Sequence, residues 1–246
     1  MENLHAFNGK IIRASGKTVL IISDTHFPYS HPDTIKFLEK IKEELDPDIV
    51  LHIGDEADGH AISFHKSSAS TEIFNASAEL EKAIEDIQEL AKIFPKIDVL
   101  DSNHGSLIYR RLHAEGIPLE YLKSLQDLYG VKWLWNEEII LKTLRGPVYL
   151  CHGKTGAIGK LCKEMGMSAI QGHFHGKFNI NWFHTPTTDR FDMFVGCLID
   201  YKHRAFDYGK NHLPKPILGC GWIDDHGVPA LIKMKLNKNG RWNGKL

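Results

Sequence analysis

Five short runs hold most of the side chains that could do chemistry. They are Asp24-Thr25-His26, Gly54-Asp55-Glu56-Ala57-Asp58, Ser102-Asn103-His104-Gly105, His152-Gly153 and Gly172-His173-Phe174-His175. The chain carries 15 histidines among 246 residues, and neutral imidazole is the commonest protein metal ligand. Carboxylate, amide and imidazole together suit Mn²⁺, Fe or Zn²⁺ better than Ca²⁺. Residues i and i+2 of an extended chain point the same way, so Asp24 with His26, and His173 with His175, read as pincers. One ion needs three or four protein ligands. Asp24, His26, Asp55, Asn103, His152, His173 and His175 are enough for two ions sharing one carboxylate. Two cations about 3.5–4 Å apart clamp the attacking and leaving oxygens of an in-line phosphoryl displacement.

Short apolar runs precede these clusters. Thr18–Ser23 reads as a buried strand, and a helix opening at His31-Pro32-Asp33 runs to about Leu45. Asp48–Ile53 is a second strand, about Ala76 to Ile93 a second helix, and Lys96–Leu100 a third strand. This alternation predicts a parallel sheet with right-handed crossovers. The second half turns mostly β. Strands are expected over Glu138–Leu144, Pro147–Cys151, Ser168–Gln171, Phe178–Phe183, Phe191–Ile199, Ile217–Ile223 and Pro229–Lys235, with a short helix over Gly156–Met165. Each chemical run thus follows a strand, and open α/β sheets place their sites at the carboxyl ends of strands. No repeat or linker divides the halves. One domain over residues 1–246 is expected, with two packed sheets, outer helices and a basic tail from about 236 that frays.

The five runs resemble, in order and spacing, the calcineurin-like metallophosphoesterases, whose pattern is D-x-H, G-D-x-x-D, G-N-H-D/E, H and G-H-x-H. The resemblance runs from about Thr18 to His175 and implies a four-layer α/β/β/α sandwich of two packed mixed sheets. It puts Asp24, His26 and His175 on one metal and Asn103, His152 and His173 on the other, with Asp55 bridging. It makes His104 the catalytic histidine and Asp58 the carboxylate that orients it. It also implies two divalent ions, Mn²⁺ first, with Fe, Zn²⁺, Co²⁺ or Mg²⁺ as alternatives. A hydroxide held between two cations is a nucleophile at neutral pH, and a protonated His104 can supply the leaving alkoxide with its proton.

Two positions depart from the pattern. Gly105 replaces the usual acid after the histidine. Gly59 stands where protein phosphatases of the family carry a phosphate-gripping arginine, which argues against a phosphoprotein substrate. Arg110 and Arg111 are the candidate replacements as an oxyanion clamp. His60 and His65 follow the Asp55–Asp58 loop and are candidate substrate contacts. Phe27 and Phe174 stand beside ligands, where a ring could stack on a base. His5 and His52 read as ordinary residues, His52 as core. The polar segment 203–212 reads as a surface loop.

Composition narrows the partners. The chain has 30 Lys+Arg against 31 Asp+Glu, a net charge of −1, so a basic face for gripping duplex DNA is not expected. No apolar run approaches the roughly 20 residues of a spanning helix. The polar N-terminus lacks an apolar signal core, which points to the cytoplasm. Cys151, Cys162, Cys197 and Cys220 form no C-x-x-C pair and read as reduced, buried thiols. The length leaves no room for the capping domains that the family's double-strand-break nucleases carry. The expected function is a phosphomonoesterase of small phosphate esters. Segments such as SNHGSLIYRR and ILGCGWI resemble compact bacteriophage phosphoesterases, including deoxynucleoside 5′-monophosphatases, which would place it in the cytoplasm of an infected host. The alternatives are a phosphodiesterase or nuclease acting on short or single-stranded nucleic acid or cyclic nucleotides, and a non-catalytic metal-binding scaffold.

Overall fold

The computed structural model describes residues 7, 9–63, 75–203, 205–206 and 215–246. Its strands are β1 (Lys10–Arg13), β2 (Val19–Ile22), β3 (Ile49–His52), β4 (Asp98–Leu100), β5 (Leu134–Asn136), β6 (Ile139–Thr143), β7 (Gly146–Cys151), β8 (Ser168–Gln171), β9 (Phe178–His184), β10 (Asp189–Val195), β11 (Gly219–Ile223) and β12 (Pro229–Lys233). Its α-helices are α1 (Thr34–Leu45), α2 (Ala76–Ile93), α3 (Leu107–Ala114), α4 (Leu125–Tyr129) and α5 (Lys160–Met165). One sheet runs β12-β11-β2-β3-β4-β5 and the other β1-β6-β7-β8-β10-β9. Both are mixed. β2, β3, β4 and β5 are parallel, as the strand–helix alternation requires, while β11 and β12 add antiparallel edges.

The alternation of side chains explains the layers. In β2, Val19 and Ile21 face the other sheet, where they meet Leu141, Leu150, Ile170, Met193 and Val195. Leu20 and Ile22 face outward, under Phe37, Leu38 and Ile41 of α1 and Ile87 and Leu90 of α2. Every residue of β2 is therefore buried, which is why its sequence is apolar without a break. On the far side, Leu161 and Cys162 of α5 cover Tyr149, Cys151 and Ala169. The order of layers is α/β/β/α. All four cysteines are buried free thiols. Among the described residues no helix is long and apolar enough to cross a membrane.

Among the departures from the sequence reading, which include the unforeseen helix α4, three stand out. β1 and β5 were not foreseen; each is a short edge strand, and β1 pairs with β6 in parallel register. The helix before β8 begins at Lys160 rather than Gly156. The third departure is the basic tail, which docks rather than frays. Asp33, 5% exposed at the start of α1, accepts from the Arg241 guanidinium through both carboxylate oxygens and from the Trp242 backbone N–H at 2.9 Å. The guanidinium holds the Asp33 carboxyl down near 2. The Trp242 indole lies edge-on to Phe37, centroids 5.6 Å apart, and the Gly240 carbonyl is 3.0 Å from His31 Nε2. The tail thus ties down the loop that follows His26. Trp242→Ala is expected to destabilise the protein by about 1–2 kcal/mol, and deletion of residues 237–246 by more. Unchanged denaturant midpoints for both variants would return the tail to a frayed end.

Candidate metal centre

The loops after β2 and β3 are laced together by their backbones. Asp24 N–H donates to the Gly54 carbonyl (3.0 Å), His26 N–H to Asp55 (2.9 Å) and Phe27 N–H to Glu56 (2.9 Å). This lacing needs an unusual chain path. Asp24 (φ 51°), His26 (φ 46°), Asp55 (φ 54°) and His173 (φ 64°) all sit in the left-handed region, at a cost of about 1–3 kcal/mol for each such residue. The Asp24/His26 pincer is therefore real, but a left-handed turn makes it, not an extended chain. Two glycines follow from the crowding. A Cβ on Gly54 would lie 2.6 Å from Ser102 Cβ and 2.8 Å from His152 Nδ1, and one on Gly172 2.7 Å from Asp24 Oδ2.

The ligand candidates converge. Asp24, His26 and His175 form one group whose ligand atoms lie within 4.8 Å of one another, and Asp55, His152 and His173 form a second. His175 Nε2 is 3.0 Å from Asp24 Oδ1. His152 Nε2 faces Asp55 Oδ2 (3.1 Å), Asn103 Oδ1 (2.9 Å) and His173 Nδ1 (3.2 Å). Asp55 Oδ2 is also 3.5 Å from His26 Nε2, so one carboxylate oxygen touches both groups. The structure brings all seven predicted ligands to one rim.

These atoms are mostly acceptors. His152 Nδ1 donates to the Ile53 carbonyl at 2.9 Å, so the neutral ring turns a lone pair toward Asp55 and Asn103. His26 Nδ1 is 2.6 Å from Asp58 Oδ1, and its Nε2 is buried with no hydrogen-bond partner. Lone pairs converging in a partly buried space call for a positive charge, and the donor set fits two divalent cations. Without them protons must serve. Burial opposes a charge on His152, yet Asp55 raises it to about 9. Burial likewise opposes a charge on His26, which Asp24 and Asp58 nevertheless raise well above the imidazole range. Burial would raise Asp24, but its hydrogen bond to His175 holds it well below the usual carboxylate range.

The flanking residues divide differently from the sequence reading. The Asp58 carboxylate grips His26, not His104. His104 Nδ1 lies 3.6 Å from Asp58 Oδ1 and makes its short hydrogen bond to the Asp58 backbone carbonyl. A carboxylate on the distal nitrogen of a ligand histidine fixes its tautomer and raises its basicity. Arg110 reaches back to the Asn103 carbonyl (2.6 Å), and Arg111 holds the carbonyls of Ile62 (2.7 Å) and Ser63. Both guanidiniums grip backbone carbonyls beside the site. Phe27 is 1% exposed in the core and offers no face to a base. Phe174 is half-buried beside His173 (centroids 5.0 Å), with the Lys177 ammonium 5.5 Å from its ring centroid. His60 stands 3.9 Å from Asp58 Oδ2. His52 is buried mid-strand, its Nε2 3.0 Å from the Thr25 hydroxyl, and burial pushes it down to about 3. His5, His65 and residues 204 and 207–212 of the polar segment lie outside the described residues. Within that segment, Phe206 is buried with its ring edge-on to His26, centroids 5.5 Å apart.

Some supporting residues were missed. Ser23 donates to Asp24. Ser102 Oγ accepts from the N–H groups of Asp55 (2.9 Å) and Gly105 (3.0 Å). Both serines adjoin ligands, which was the available signal. Glu56 is buried, takes the Trp135 indole N–H at 3.2 Å, and is pushed up to about 7 by burial.

Residues 17–154, more than half of the chain, match the calcineurin-like phosphoesterase family, and the chain belongs to that family. It is a family of phosphoesterase hydrolases that generally bind two divalent metals. No curated protein matches the sequence significantly. Among solved structures the chain is similar to Vps29 of Chaetomium thermophilum (10% identity, 92% of this chain and 94% of that one, TM-score 0.49). It is also similar to Yfce, a phosphoesterase from E. coli (14% identity, 89% and 100%, TM-score 0.42), and to Vps29 of Cryptosporidium parvum (13%, 90% and 98%, TM-score 0.40).

The histidines give a pH test. A group raised in the folded state contributes stability below its unfolded value and loses it as pH rises through the folded one. For His152 the window runs from about 6.5 to about 9. Chelator-treated protein is expected to lose thermal stability across that window. A saturating divalent cation should restore it at the alkaline end, because the cation replaces the protons. A metal-free melting temperature that is flat or rising there would remove the lone-pair assignment.

Proposed function

We propose that this chain, as one domain over residues 1–246, is a two-metal phosphomonoesterase of small phosphate esters, 5′-(deoxy)nucleoside monophosphates foremost. The observation that carries the reading is the Asp55 oxygen standing 3.1 Å from His152 Nε2 and 3.5 Å from His26 Nε2. That placement supports a carboxylate shared between two cations. Asp24, His26 and His175 would hold one ion, and Asn103, His152 and His173 the other. Bound there, the ions would polarise the phosphoryl oxygens and make water nucleophilic at neutral pH.

The chain's own residues do the rest. Asp58 fixes the His26 ring. His104, partly exposed beside it (ring centroids 4.6 Å apart), gives its proton to the leaving oxygen as the P–O bond breaks. His60 and Phe174 would be the contacts for the nucleoside. A monoester dianion presents more charge and more free oxygens to two cations than a diester monoanion does. The net charge of −1 gives no overall attraction toward a polynucleotide.

His104→Ala is expected to keep both ions and lose roughly 10²–10⁴-fold in turnover on 5′-dNMPs. The loss should be much smaller on p-nitrophenyl phosphate, whose leaving group needs no proton. Phosphate release from 5′-dNMPs should outpace cleavage of bis-p-nitrophenyl phosphate. Steady oligonucleotide cleavage with little phosphate from any dNMP would promote the nuclease reading instead. Asp58→Asn is expected to weaken binding of one ion about 10–100-fold, and titration calorimetry showing two unaltered sites would remove its role behind His26.

A further inference from the structure

We propose that Glu79 and Arg111 are positioning residues that set the His104 ring by clamping the chain between Asp58 and Ser63. This rests on the reading of His104 as the proton donor. No sequence motif points to either residue in that role.

The need for a clamp follows from the local chain. His104 Nδ1 bonds the Asp58 backbone carbonyl, and that carbonyl belongs to the peptide leading into Gly59. Gly59 is left-handed (φ +65°), and glycine samples more backbone conformations than any other residue. The following turn, His60–Ile62, is a single 3₁₀ turn. Its first N–H groups have no partner within the turn. Left to itself, the Asp58–Gly59 peptide could rotate and release the imidazole.

Both ends of the turn are held from outside. At its start the two Glu79 carboxylate oxygens accept from the N–H groups of His60 (2.5 Å) and Ala61 (2.8 Å). Glu79 lies in the first turn of α2, 8% exposed, and the Tyr29 side chain hydrogen-bonds the same carboxylate. At the turn's end the Arg111 guanidinium donates to the carbonyls of Ile62 (2.7 Å) and Ser63. Arg111 is on α3, the helix that follows His104 itself. Anion on N–H groups and cation on carbonyls are charge-assisted hydrogen bonds, the strong kind. They fix the turn to the two helices flanking the site. The Asp58 carbonyl is thereby fixed, and with it the nitrogen of His104 that carries the inner proton. Its other nitrogen is left for the substrate.

The test compares substrates that do and do not need the proton. Glu79→Gln presents an amide donor to one of the two N–H groups, and Arg111→Lys loses the two-pronged grip. Each is expected to lower kcat on a 5′-dNMP about 10–100-fold and on p-nitrophenyl phosphate less than about 3-fold. A merely structural role would lower both equally, as a reduced active fraction, and that result overturns the proposal. His104→Ala is measured in parallel. If His104→Ala discriminates between the substrates and the clamp variants do not, the clamp fails and the donor reading stands. If His104→Ala does not discriminate, the donor reading fails. The ring nitrogen NMR signals of His104 then decide the clamp alone: Glu79→Gln must shift the Nδ1 signal, and an unmoved signal refutes it. Arg111→Lys supplies the same readouts should Glu79→Gln fail to fold.

Discussion

The centre of this molecule is a place where acceptors face acceptors. Asp55 Oδ2, the lone pair of His152, Asn103 Oδ1 and His173 Nδ1 stand within about 3 Å of their neighbours, Asp55 and His152 buried, Asn103 and His173 at the open side. Such a cluster is unfavourable unless positive charge sits among it. The left-handed backbone at Asp24, His26, Asp55 and His173 is a second cost at the same place. Local strain of this kind persists only where the surrounding structure overdetermines it. Much of the architecture can be read as that overdetermination.

The two sheets supply the rigidity. β2, β3 and β4 end side by side, and β7 and β8 of the facing sheet end opposite them. An interior filled by Ile21, Leu51, Leu150, Ile170 and Met193 keeps the two sets of strand ends in register. Close-packed cores deform little, so ligand atoms from both sheets meet without further adjustment. The outer supports are polar. Asp58 steadies His26, Ser102 steadies the Asp55 backbone, and the docked tail anchors the loop that His26 opens. The turn after Asp58 takes its support from two helices, through Glu79 of α2 and Arg111 of α3.

The family assignment fixes the class of chemistry, phosphoester hydrolysis. The substrate is a matter of the loops. Both arginines that could have gripped a phosphate are engaged with backbone carbonyls. Charge for the phosphate would then come from the cations and the rim histidines.

Types and spacing along the chain were enough to identify the seven ligand candidates, because metal ligands must be particular side chains at strand ends. The parallel arrangement of β2, β3 and β4 was legible in the alternation of strands and helices, which requires crossovers. What the sequence could not decide was which neighbour each polar group would choose. Asp58 was equally able to hold His104 or His26, and the left-handed turn at His26 brings that ring, not His104, within 2.6 Å. Arg111 was equally able to face phosphate or backbone, and the turn at Ile62–Ser63 captured it. The tail looked like a solvated basic end until Asp33, 208 residues away along the chain, supplied its counter-charge. Glu79 gave no signal at all, since one glutamate in a helix resembles any other. Residue type determines what a group can bond. Only the folded chain brings distant segments within the 3 Å at which one bond excludes another.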